Sequence, residues 1–361
     1  MPSNNPQPMK RARSGRRVTI NDIARQAGVS KGAVSYALNG RPGLSEETRK
    51  RILEIADELG WRPNSAARSL SASRANACGL VLARPARTLA VEAFFPEFLA
   101  GVESELSARS LALTLQLASE VESEAAVYRR WWAERRVDGV LVVDLRVGDP
   151  RVEELVHLGL PAVVVGGPVE GHALPAVWHD EKAAVVDLVR YLAALGHTRV
   201  ARVAGVPGFV HSTIRTAAFQ EVTRELELSA RVISTDYTPE SGARATRQLL
   251  SDPEPPTAIA YDSDVLAVTG LGVAQQMGFA VPRDVSIVAW DDSLLCQVVH
   301  PPLTTLTRDI SEYGAIACKR LLAAIDDPAD RSDVETPRGE LTARASTGRV
   351  RAVRQRSVRL G

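Results

Sequence analysis

Apolar residues recur at helical spacing along the first sixty positions. Ile20, Ile23, Ala24 and Ala27 fall at i, i+3, i+4 and i+7, one face of a short helix. Thr19 with Asp22 three residues on resembles a capping box that would start it. After a turn around Gly28, Ser30 can cap a second helix whose apolar face is Ala33, Val34, Ala37 and Leu38. Ser45 opens a third, with Glu46 and Glu47 in its first turn, Ile52, Ile55, Ala56 and Leu59 inward, and Gly60 at its stop. From Ala77 the pattern changes. Apolar runs at Cys78–Leu82, Leu111–Leu117, Val137–Val143, Ala162–Val165, Val200–Ala204, Arg231–Ser234, Ala258–Tyr261 and Val285–Trp290 read as strands. Helical periodicity fills most of the intervals, as at Pro96–Ala108 and Ala183–Leu195. Such alternation predicts open parallel sheets with helices on both faces. The region is long enough for two sheets, and the Gly- and Pro-broken stretch Pro168–Ala176 is the expected switch between them.

Composition leaves that picture intact: 45% apolar and 24% charged residues in 361 suit a chain with a sizeable core. Charge adds something. Residues 1–74 carry 14 Lys and Arg against 6 Asp and Glu, residues 75–348 carry 25 against 37, and residues 349–361 add five arginines. A basic N-terminal module on an acidic body is the electrostatic footprint of a nucleic-acid binder; a solvated basic tail without a partner is the plainer alternative. Met1–Arg17 is polar and basic, lacks the apolar run of a secretory signal, and reads as a disordered arm. No apolar run approaches the ~18 residues of a membrane span, so a cytoplasmic protein is expected, nucleoid-associated when bound to DNA. Cys78, Cys296 and Cys318 lie far apart without C-x-x-C spacing and read as small buried hydrophobes. Neither a metal nor a cofactor is expected.

The first two helices flank the turn Ala27-Gly28-Val29-Ser30, which is helix-turn-helix geometry. The second helix would lie in the major groove with Lys31, Gly32, Ser35, Tyr36 and Asn39 on its polar face. Lys31 can donate to guanine, and Tyr36 can meet a base edge or a thymine methyl. Gly32 permits close approach only. Thr19, Ser30, Ser35 and Asn39 are candidates for phosphate contacts, which set register rather than sequence. The competing reading is an ordinary three-helix packing unit. Gly28-Val-Ser-Lys-Gly32 also matches G-x-S-x-G, but a nucleophile elbow needs a preceding strand, and Ile20–Ala27 has a helical period.

These residues, Val18-Thr-Ile-Asn-Asp-Ile-Ala-Arg-Gln-Ala-Gly-Val-Ser30 and Ala33-Val-Ser-Tyr-Ala-Leu-Asn39, resemble the lactose/galactose-repressor (LacI/GalR) family of bacterial transcriptional regulators. Gly60–Leu70, Arg135–Val140, Tyr237–Gly242, Val281–Asp291 and Pro302–Leu306 continue the likeness, which spans roughly residues 18–348. It implies a disordered arm (1–17), a DNA-binding helix-turn-helix domain (18–61), a hinge helix and linker (62–75), a two-lobed effector-binding and dimerisation domain (76–348) and a basic tail (349–361). The implied fold is an all-α helix-turn-helix module plus an α/β periplasmic-binding-protein-like core of two doubly wound parallel-sheet lobes. Asn64–Leu70 would be the hinge helix, with Ala67 small enough for close approach, Arg68 meeting phosphate and Leu70 wedged into the minor groove. Seven residues are too few for a stable isolated helix, and an apolar wedge unstacks a base step in exchange for contacts on bent DNA.

In the core the resemblance implies a ligand held between the carboxyl ends of the strands. Phe95 would pack on it, Arg215 would hold its oxygens, Tyr237 would line the cleft, and Asp264 and Asp291 would face it from the second lobe. An Arg fork and a carboxylate can grip a polyol while an aromatic ring covers its apolar side. The plainer readings are a helix-surface charge for Arg215, turn or cap roles for Asp264 and Asp291, and a core role for Phe95. Trp178-His179-Asp180 departs from the Asp-Asn that many relatives carry there; Phe209 and His211 fall in a predicted loop, His211 as a hydrogen-bonding contact or an exposed histidine. The function implied is a repressor that binds a palindromic operator as a homodimer and answers to a small effector, a sugar or sugar derivative. An exported solute-binding protein or an enzyme on the same core is the alternative. No Walker loop or H-E-x-x-H occurs, and Gly270-Leu-Gly272 lies inside a helical pattern, so no enzyme is expected.

Overall fold

The computed structural model describes residues 18–61, 74–84, 89, 91–118, 121–167 and 173–350. The chain divides into two compact units, Met1–Arg74 and Ala75–Gly361.

The first unit is the three-helix module that its apolar spacing predicts: α1 (Ile20–Ala27), α2 (Lys31–Leu38) and α3 (Glu46–Glu58). Capping sets each start. The Asp22 carboxylate accepts from both the Thr19 N–H (3.0 Å) and the Thr19 hydroxyl (2.7 Å). Ser30 Oγ accepts from the Ala33 N–H at 3.1 Å, and Ser45 Oγ from the Thr48 N–H at 3.2 Å. Ser30 is therefore a cap and no nucleophile. Gly28 leaves α1 in the left-handed conformation (φ 65°) that only glycine adopts without strain. Ile23, Val34 and Ile52, one from each helix, are fully buried together.

The second unit holds two six-stranded sheets. Its strands are β1 (Ala77–Leu82), β2 (Ala112–Leu117), β3 (Gly139–Val142), β4 (Ala162–Val165), β5 (Ala176–Trp178), β6 (Arg199–Ala204), β7 (Ser229–Ser234), β8 (Ala258–Tyr261), β9 (Ser286–Trp290), β10 (Thr304–Thr307), β11 (Val334–Glu335) and β12 (Glu340–Thr342). The helices are α4 (Phe94–Ala108), α5 (Val121–Ala133), α6 (Pro150–Leu158), α7 (Glu181–Ala194), α8 (Val210–Glu225), α9 (Pro239–Leu250), α10 (Asp264–Gln276), α11 (Leu294–Val298) and α12 (Ile310–Asp326). The first-lobe sheet runs β11-β5-β4-β3-β1-β2, all parallel, and the second β12-β10-β9-β8-β6-β7, parallel except for the β10–β12 pair. Strands β1, β3, β4, β8 and β9 are buried along their whole length, which is why they read as near-continuous apolar runs.

Two expectations are corrected. The first sheet does not end near Pro168–Ala176: β5 still belongs to it, and the chain enters the second lobe only between Trp178 and Glu181. The strands β10, β11 and β12 escape a hydrophobic-run reading because they are Thr-rich or only two to four residues long. They matter, because the chain crosses between lobes three times: after β5, after β10 and after β11. After the second crossing α12 lies against α4 at backbone distance. A Cβ on Gly101 would sit 1.8 Å from the Ser311 carbonyl oxygen, and one on Gly314 2.2 Å from that of Phe98.

Candidate functional site

The carboxyl ends of both sheets face one cleft with about 820 Å³ of space unfilled by atoms. Phe95, His211, Arg215, Tyr237, Asp264 and Asp291 all line it. They come from sequence positions 95 to 291 because strand ends gather there, the place where open α/β sheets hold ligands.

Phe95 serves core and cleft at once: it is 3% exposed, packs in the first-lobe core, and meets the Phe94 ring edge-on at 5.2 Å. Arg215 is no surface charge. At 4% exposure it donates from Nε to Glu181 Oε2 (2.6 Å) and from Nη2 to Oε1 (2.9 Å), and its guanidinium lies 3.6 Å from the Trp290 ring centre. Burial alone would raise the Glu181 carboxyl; Arg215 and His179 overcome it and hold the group well below the usual range. Tyr237 follows β7 with φ 64° and is buried against Gly205, where a Cβ would come within 2.0 Å of its ring. Its hydroxyl lies 3.0 Å from His211 Nε2. His211 is not in a loop: it occupies the first turn of α8, and burial followed by the nearby Arg215 charge pulls it down to about 4.

Asp291 follows β9 with φ 66° and takes Arg308 on both oxygens (2.7 and 3.2 Å). Arg308 Nη1 also lies 2.8 Å from His179 Nε2, and the same nitrogen lies 2.9 Å from Glu181, so the His179 ring stands between the Arg215–Glu181 and Arg308–Asp291 pairs. Asp264 opens α10 behind its Ser263 cap, with Oδ1 accepting from the Val265 N–H at 2.7 Å. Its Oδ2 and the Ser293 Oγ are buried without a well-formed hydrogen bond, and burial raises the Asp264 carboxyl.

Several cleft residues were invisible in the sequence. Arg84, just past β1, is gripped by Asp144 (2.6 and 2.8 Å) and Glu92 (2.8 and 3.0 Å), and its guanidinium sits over Tyr237 (4.9 Å) and Phe209 (5.6 Å) of the other lobe. Burial, against the pull of Arg84, lifts Glu92 to about 7. Glu181 and Arg308 are likewise new. The signal available was positional: each follows a strand end within a few residues, as Asp291 does. Beside Arg84 the lobes are joined by main chain. Arg146 pairs antiparallel with Phe209; the Val147 N–H donates to the Gly208 carbonyl at 2.9 Å and the Val210 N–H to that of Leu145 at 2.8 Å.

In the helical unit, Lys31, Gly32, Tyr36 and Asn39 are exposed along one side of α2, and Ser35 is half-buried. Tyr36 is 44% exposed, unusual for an aromatic side chain with an apolar core available. Thr19 and Ser30 are already engaged in their caps. The Asn39 amide donates to the Ser35 carbonyl at 2.9 Å, which turns it toward its own helix. Asn64, Ala67, Arg68 and Leu70 lie outside the described residues, as do the arm 1–17 and the tail from Arg351.

Residues 19–64 match the family described as bacterial regulatory proteins, lacI family, and residues 189–347 match the periplasmic binding protein-like domain. The HTH-type transcriptional regulator AglR of Rhizobium meliloti (strain 1021) is 36% identical over 340 residues, 92% of this chain and 94% of the relative. Among solved structures, the complex of the transcriptional regulator CelR with cellobiose superimposes with a TM-score of 0.70 at 27% identity, over 91% of this chain and all of that one. The lac repressor dimer bound to operator and the anti-inducer ONPF superimposes with a TM-score of 0.80 at 24% identity, over 92% of this chain and all of that one.

Proposed function

The chain belongs to the lacI family of bacterial regulatory proteins, DNA-binding transcriptional regulators, and on that premise we propose that it is a repressor whose hold on a palindromic operator is set by a small sugar-like effector in the interlobe cleft. The observation that carries this reading is the coexistence, in one chain, of an exposed Lys31–Tyr36 helix face and a cleft lined from both lobes by aromatic rings and hydrogen-bonding groups. Phe95 and Tyr237 supply apolar faces; Asp264 and Asp291 supply acceptors for hydroxyl groups. The cellobiose named in the CelR complex is a ligand of the same chemical kind.

On DNA, α2 enters the major groove, Lys31 and Tyr36 read base edges, and Thr19, Ser30, Ser35 and Asn39 lie along phosphate. Asn64–Leu70 forms the hinge, where Arg68 meets phosphate, Ala67 permits close approach and Leu70 is the minor-groove wedge. A homodimer presents two such helices to two half-sites, so the operator is two-fold symmetric. The effector acts by binding one arrangement of the lobes better than another, a coupling of ~1–3 kcal/mol that is reciprocal between ligand and DNA. The protein works in the cytoplasm and catalyses no reaction.

The test is selection of bound sequences from a random DNA pool, followed by titration of the selected site across a panel of sugars. A two-fold symmetric site whose affinity falls steeply with salt and shifts with one class of sugar supports the reading. A non-palindromic optimum, salt-insensitive binding or turnover of the sugar overturns it.

A further inference from the structure

The cleft carries three guanidinium groups among the described residues, and each already faces a carboxylate of its own: Arg84 those of Asp144 and Glu92, Arg215 that of Glu181, Arg308 that of Asp291. The Arg215–Glu181 pair is the most closed of these. Two parallel hydrogen bonds of 2.6 and 2.9 Å use the bidentate edge that would otherwise take a phosphate or a ligand carboxylate, and Trp290 covers the guanidinium face at 3.6 Å. Two further acids, Glu97 and Asp264, line the same cleft. Glu97 at the cleft wall is raised by burial and then by Asp291, Asp264, Asp309 and Asp292, all of one sign. Asp264, 5% exposed, also lines this space, and its buried Oδ2 accepts no well-formed hydrogen bond.

From this arrangement we infer that Glu181 is a charge filter: by occupying Arg215 it makes the cleft accept a hydroxyl-bearing ligand without negative charge and reject phosphorylated or carboxylated ones. An anionic group could take the Nε–Nη2 edge of Arg215 only by expelling Glu181, which would leave a buried carboxylate without its partner. It would also stand beside Glu97 and Asp264, two further acids of the lining. A neutral polyol meets neither obstacle, because it leaves the Arg215–Glu181 pair in place and its hydroxyls can donate to carboxylates of the lining. The inference rests on the cleft being the effector site, and it specifies what that site selects.

The test uses the full chain, with inorganic sulfate as the probe against chloride at constant ionic strength. The readouts are the melting temperature of the second unit and the fluorescence of Trp290, which lies on Arg215. Wild-type protein is expected to show no saturable response to sulfate in either. Glu181→Gln, which keeps a hydrogen bond to Arg215 but removes the charge, is expected to gain a saturable rise in melting temperature and a fluorescence change, both lost in Glu181→Gln/Arg215→Ala. Sulfate on the basic first unit is common to all three proteins and cancels. A saturable wild-type response that Arg215→Ala removes overturns the inference. So does a folded Glu181→Gln that ignores sulfate, or one whose response survives loss of Arg215. Should Glu181→Gln not fold, Glu181→Ala takes its place, removing the carboxylate and freeing the same edge of Arg215, with the same outcomes. No DNA enters this assay, so its failure leaves the operator reading standing, and failure of the operator titration leaves this one standing.

Discussion

Replacing Arg215 by Met removes one partner of a buried ion pair and keeps most of its volume. Glu181 and Arg215 are 6% and 4% exposed, so the carboxylate left behind has almost no water to turn to. Removing one partner of such a pair typically costs ~3–5 kcal/mol, mostly the penalty of the orphaned charge. Loss of the guanidinium from the Trp290 face adds to this, by up to ~2 kcal/mol for a desolvated cation–π contact. The net expectation is a loss of about 4 kcal/mol, a fall in melting temperature on the order of 10 °C for the second unit. Glu181→Leu/Arg215→Met removes both charges and should recover most of that loss, because two apolar side chains need no compensation. Denaturant unfolding followed by tryptophan fluorescence measures both variants. A single variant within ~1 kcal/mol of wild type, or a double variant no better than the single, would refute the account of the pair as mutually dependent buried charges.

Three further outcomes are expected. Ser30→Ala should destabilise the helical unit by ~1 kcal/mol through loss of the α2 cap, seen by circular dichroism at 222 nm on heating. Gly314→Ala forces α4 and α12 apart, because its Cβ would meet the Phe98 carbonyl at 2.2 Å; a loss of ~2 kcal/mol or more is expected in denaturant unfolding, and a neutral substitution would contradict the packing. His211 titrates at about 4 in the fold against an ordinary value near 6.5. Above pH ~6.5 neither form binds the proton; as pH falls toward 4 the unfolded chain takes it up and the folded chain does not, so stability declines by at most ~1.4 kcal/mol per unit. Glu92, raised to about 7, acts with the opposite sign between pH ~4.5 and 7, so the His211 contribution is read as the difference between wild type and His211→Gln.

The helical unit was legible in detail because local chemistry decides it. Caps at Thr19, Ser30 and Ser45 and a single apolar face per helix leave little for distant residues to settle. The buried parallel strands were legible for a related reason, since burial on both faces demands unbroken apolar runs. Where structure depends on distant partners the sequence was mute. Thr304–Thr307 carries no apolar alternation, yet β9 on one side and β12 on the other make it a strand. All six predicted effector contacts line the cleft, but the partner of Arg215 did not show: Glu181 looks like any first-turn helix acid, and only the fold sets it against Arg215, thirty-four positions away. His211 was misplaced in a loop because α8 starts without a side-chain cap, at Phe209.

The rung between Arg146 and Phe209 is made of peptide groups, and that separates two properties that a switch protein would otherwise have to change together. What the cleft recognises is written in side chains, whereas the register in which the halves meet at this seam is written in N–H and C=O groups that nearly every residue possesses. Substitutions at a few cleft positions can therefore change the groups the cleft presents and leave the register of this seam unchanged. Proline is the exception: at Val147 or Val210 it would delete a donor outright and break the seam while leaving the cleft side chains as they are.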